Sequence, residues 1–143
     1  MCYSVYLSTD FEGDLSQHNT ELIRFDKAFN DAERQVIDLL QYHNVWYVGS
    51  RAGCSCTFRH LHSIELGFGE PVDWYAEDQD EIEATGIFYK VVSGLVGAGS
   101  QVDCIDIWAG GKRDQIKQLA VKVSSTTKEA FRFFENHHFI FSP

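Results

Sequence analysis

Cys54, Cys56, His60 and His62 fall at every second position of one stretch, with Phe58 between them. All four side chains can ligate a metal, and they can also supply a nucleophilic thiolate or carry a proton. They lie in NVWYVGSRAGCSCTFRHLH, residues 44–62, which holds no acidic residue although the chain carries a formal net charge of −9. Apolar and aromatic residues on both faces of 44–48 predict a strand covered on both sides. Gly49 and Gly53 predict a tight turn, and 54–62 a second strand with the Cys, Phe and His side chains on one face.

That face suggests a metal, but strand geometry limits it. A strand rises about 3.3 Å per residue, which would set Cys54 and His62 roughly 26 Å apart. One zinc ion, with ligand atoms at about 2.0–2.3 Å, cannot collect both pairs. Each pair makes half a site, and Cys104, His43, His137, His138 or Cys2 would have to complete it. The CxxC knuckle of structural zinc sites is missing. The sequence therefore assigns no metal and no cofactor, and buried cysteines acting as small hydrophobes are the simpler reading.

Two nucleophilic arrangements are open. Cys54 or Cys56 could pair with His60, His62, His137 or His138, provided the fold brings sulfur and imidazole within about 2.6–3.2 Å. Cys2 is the other. Removal of the initiator methionine would expose an α-amine with a pKa near 7.7–8.0, suited to act as base for its own thiol. In those two residues the opening Met-Cys resembles the N-terminal-cysteine hydrolases, and the resemblance implies a nucleophilic role for Cys2.

The 49–53 turn is also an anion candidate. Successive N–H groups at a glycine turn form a concavity for anions, with Arg51 and Ser50 inside it and Arg59 across the expected hairpin. The alternative is that Arg51 and Arg59 pair with the chain's own acids at 70–83.

The elements that would position these groups are read from periodicity and capping. Alternation predicts a strand at 2–8, a second at 21–25 paired with it, and others at 102–108, 119–124 and 139–141. Asn30 with Glu33, Asp80 with Glu83 and Thr126 with Glu129 have capping spacing, which predicts helices over about 31–43, 80–97 and from 126 onward. The GAGS at 97–100 follows a helix, so its glycines read as helix stops and not as a dinucleotide loop. The expected fold is α+β: a single mainly antiparallel, possibly mixed sheet of about six or seven strands with about three helices packed on it. An α/β arrangement is the alternative.

Length bounds the rest. At 143 residues the chain predicts a single globular domain, 1–143, and eleven Phe with 44% hydrophobic residues give it a core without staples. No apolar run reaches the roughly 20 residues of a membrane span. The opening segment lacks the basic and long apolar regions of a signal peptide, and four cysteines without an export signal suggest free thiols in the cytoplasm. Acids outnumber bases 21 to 12, which disfavours non-specific nucleic-acid or anionic-membrane binding. Seven acids and no Lys or Arg between Glu70 and Glu83 suggest a face for a basic protein partner, with Trp74, Asp78, Asp80 and Glu81 in contact. An interaction domain of that kind leads, and a small enzyme or thiol/metal site on the Cys–His strand follows. The oligomeric state is not encoded in these patterns.

Overall fold

A computed structural model describes residues 2–61 and 77–143. His62 and Trp74 lie outside the described residues. The described strands are β1 (Tyr3–Thr9), β2 (Ile23–Asp26), β3 (Asn44–Ser50), β4 (His60–Leu61), β5 (Val102–Trp108), β6 (Lys117–Lys122), β7 (Phe133–Phe134) and β8 (His137–Ser142). Six of them form one sheet in the order β2-β3-β1-β5-β8-β6, and β4 with β7 forms a separate parallel ribbon. The large sheet is mixed, because β6 runs parallel to β8 while its other pairings are antiparallel.

One sheet with helices on it is the α+β arrangement, but among the described residues it carries two helices and not three. The long one, α2 (Gln79–Gly97), is capped by Asp78, whose side chain accepts from the Asp80 N–H. The expected helix over 31–43 shrinks to a 3-10 turn at Asp31–Glu33 followed by α1 (Arg34–Ile37). Asn30 does cap it, but the Glu33 carboxylate accepts from the Tyr6 hydroxyl at 2.8 Å instead of closing a capping box. The expected third helix is absent. Thr127 closes a single turn with the Ala130 and Phe131 N–H groups. The chain then extends into β7, turns at Asn136 (φ 57°) and enters β8. Phe131, Phe133, Phe134, Phe139 and Phe141 are all buried along this path. A run buried on every side has no polar face, so its spacing does not report the secondary structure.

The pleat sends side chains alternately to two cores. Val5, Leu7, Val102, Cys104 and Phe139 face α2, which contributes Phe88, Val92 and Val96. Tyr6, Ile105 and Ile107 face the other way, under Val36 and Ile37. The middle of the sheet is the β1–β5 pair, so β3 is not its centre. β2 pairs with β3, leaving the expected pairing of β1 with the 21–25 strand unmade.

Candidate functional site

The predicted strand over 54–62 does not form. Residues 51–58 are turns and bends, and strand geometry begins only at His60. The single Cys/Phe/His face therefore does not exist. Closure of the loop explains why. The Ser50 N–H donates to the Cys54 carbonyl at 2.8 Å and the Gly53 N–H to the Ser50 carbonyl at 2.9 Å. Gly53 sits at φ 88°, and a Cβ on Gly49 would lie 2.9 Å from the Gly53 carbonyl oxygen, so both positions need glycine.

The folded-back loop lies across the first residues of β1. The Ser55 N–H donates to the Tyr3 carbonyl at 3.2 Å. The Ser55 hydroxyl accepts from the Val5 N–H at 2.9 Å and donates to the Val48 carbonyl at 2.6 Å. The Tyr3 N–H points at the Cys56 sulfur, 3.3 Å away, and the Cys2 carbonyl accepts from the Ala109 N–H at 2.9 Å.

These clamps bring three cysteines together. The Sγ atoms of Cys2, Cys54 and Cys56 all lie within 4.8 Å of one another. Cys2 is exposed and the other two are half-buried, so the cluster is open to solvent on one side. Thiolates bound to a shared ion at about 2.3 Å sit roughly 3.8–4 Å apart, less than the 4.8 Å that bounds the three sulfurs here.

The thiols differ in acidity. Burial opposes ionisation of Cys54, but hydrogen bonds from Cys56 and Cys2 outweigh it and hold the Cys54 thiol below its ordinary value. Burial and the neighbouring Cys54 push the Cys56 thiol up to about 12, against the Tyr3 N–H, which favours its thiolate. Cys104 lies apart in the core facing α2, where burial raises its thiol further.

His60 supports the loop from beneath. Its Nδ1 meets the Asp106 carboxylate at 2.8 Å and its Nε2 meets the Ser55 carbonyl at 2.5 Å, between the two cysteines. Both nitrogens are occupied, so no ring nitrogen is left to activate a thiol. His137 Nδ1 donates to the Glu135 carbonyl, His138 Nε2 bonds Asp103, and His43 bonds Glu12. The Cys–His pairing is therefore not assembled among the described residues. The amino-terminal reading of Cys2 depends on Met1, which is also outside them.

The anion candidates diverge. Ser50 donates its hydroxyl to the Cys54 carbonyl at 2.6 Å. Arg51 is exposed and pairs with Asp80 and Asp78. Arg59 is buried, and its guanidinium grips Glu77 through two bonds, at 2.5 and 2.8 Å, while Arg132 reaches the same carboxylate at 3.2 Å. No common pocket results. Of the partner-contact candidates, Asp78 and Asp80 are held by Arg51, while Glu81 is half-buried, and burial together with Asp78 raises its pKa.

Sequence reasoning passed over Asp103 and Asp106, the two acids inside the otherwise apolar β5. Both are fully buried. Carboxylates in a strand covered on both faces need partners, and that was the available signal.

Compared with protein-family models, with curated proteins and with solved structures, the chain matches none of them.

Proposed function

We propose that this chain is a metal-binding domain that holds one soft metal ion through the thiolates of Cys2, Cys54 and Cys56. The observation that carries the reading is the mutual approach of three sulfurs from two segments fifty residues apart, all within 4.8 Å. Thiolate sulfur selects monovalent copper, zinc and related soft ions. Among the described residues no imidazole or carboxylate joins the set, so the donor number is three. Three thiolates complete the shell of monovalent copper, whereas zinc would keep a fourth position for water. Copper(I) is the better match.

The remaining features support this use. Cys54 is the thiol already biased toward its thiolate, and it gives an arriving ion its first ligand. The exposed Cys2 leaves a route from solvent. The partner-face reading has less to stand on, because Arg51 engages Asp78 and Asp80 and Glu77 is buried between two arginines.

The test is an anaerobic titration of the reduced protein with copper(I) and, separately, zinc, each against a competing chelator. One equivalent should bind with a sulfur-to-metal charge-transfer band for copper. Serine at position 2, 54 or 56 should weaken binding at least tenfold, and Cys104→Ala should leave it unchanged. Retention of affinity in the triple serine variant, or no binding by the parent, would overturn the reading.

A further inference from the structure

On the sheet face covered by α1, residues of β6 and β8, the Arg113–Gln115 turn and α1 with the residues just after it line an open cleft of about 650 Å³. That is within the roughly 300–1,000 Å³ of small-molecule sites. Leu39 and Ile116 give it an apolar side, packed against the core beneath Val36 and Ile37. Lys112 and Arg113 stand at its rim, and neither forms an ion pair among the described residues. In a chain of net charge −9, two uncommitted cations beside one cleft are a local reversal of sign. Asp114 is the single acid in the lining.

The cleft wall also contains a prepared imidazole. His138 is 2% exposed, and its Nε2 lies 2.7 Å from the Asp103 carboxylate. Asp103 is held in turn by the Ser8 hydroxyl and by the Gln41 N–H at 3.0 Å. His138 is among the residues that line the cleft, and its Nε2 is the nitrogen committed to Asp103.

We infer that this cleft binds a small organic oxyanion, its phosphate or carboxylate headgroup on Lys112, Arg113 and His138 and its apolar body on Leu39 and Ile116. The cleft shares no lining residue with the thiol cluster.

Titration calorimetry with the full chain tests this, using phenyl phosphate, benzoate and the neutral analogue benzamide as probes. At least one anionic probe should saturate at one site and bind at least tenfold tighter than benzamide. Whichever anion binds tighter names the headgroup. The double variant K112A/R113A, which alters only exposed side chains, should lose at least tenfold of that affinity. His138→Gln keeps an amide donor for Asp103 but removes the second nitrogen, and should lose about threefold to tenfold. The C2S variant should bind as the parent does. Failure of both anions to saturate, equal binding of benzamide, or unchanged affinity in K112A/R113A would overturn the inference.

Discussion

The Tyr3 ring lies flat on the His60 imidazole, with centroids 3.9 Å apart and planes 5° apart. Tyr3 directly follows Cys2, and His60 holds the carbonyl of Ser55, which separates Cys54 from Cys56. One stack thus joins the two segments that supply the three sulfurs. Trp108 meets the Tyr3 ring edge-on at 4.7 Å, and the Tyr3 hydroxyl donates to Glu135 at 3.0 Å.

The stack predicts an effect on metal affinity from a residue that touches no metal. His60→Asn should lower copper(I) affinity about tenfold, the usual cost of losing an outer-shell support. Chelator competition on a variant whose circular dichroism matches the parent checks it. Parental affinity would show that the loop holds its shape unaided.

The thiols should react in a fixed order. Alkylation at neutral pH should modify Cys54 before Cys56, whose thiol is pushed up to about 12. Cys104, fully buried with its thiol raised, should react only on unfolding. Peptide mass spectrometry over a time course reads this directly. Early labelling of Cys56 would contradict the assigned acidities.

Glu77 should be a large stability determinant. It is buried between Arg59 and Arg132, and removing one partner of a buried ion pair costs about 3–5 kcal/mol. Glu77→Gln should fall near the lower end, because the amide keeps some of the hydrogen bonding. Burial raises the Glu77 pKa, but the two guanidiniums outweigh it and hold the group below its ordinary value. The stability it contributes is therefore present above the usual carboxylate range and is lost as pH falls through the lowered value. Urea unfolding from neutral to acidic pH should show that loss in the parent, and Glu77→Gln should show a shallower slope.

The His60–Asp106 pair should act in the opposite direction. Burial pulls the His60 pKa down, but Asp106 outweighs it and the net shift is upward; burial raises Asp106 despite His60. Two raised values mean that the folded state holds protons more tightly than the unfolded chain. The His60 part of this contribution is fully present below about pH 6.5, the ordinary His value, and fades as pH rises through its raised folded-state value. Glu81, Glu135 and His137 shape the same field. Unfolding free energy measured between pH 6 and pH 9 should decline in the parent, with a flatter profile in Asp106→Asn. Equal slopes would remove the pair as the cause.

Several features were legible in the residues alone. The helix ending near Gly97 was legible from its apolar spacing, but its start was read late: the expected cap, Asp80, lies in the first turn and Asp78 is the residue that caps it. Strands β1, β3 and β5 were read where side chains alternate or where apolar and β-branched residues fill both faces. The helix expected after Thr126 failed because five phenylalanines are buried regardless of backbone type, so their spacing carried no direction.

By itself the sequence determined that four thiols, six imidazoles and a tight glycine turn existed in this chain, and that a sheet would carry them. Only the tertiary structure decided that Cys2 joins Cys54 and Cys56 while His60 turns inward to Asp106. The physical reason is that local spacing sets backbone conformation, whereas convergence depends on pairings between distant segments. Here the Ser55 N–H and hydroxyl fix the loop to β1, and neither bond leaves a mark in the order of the residues.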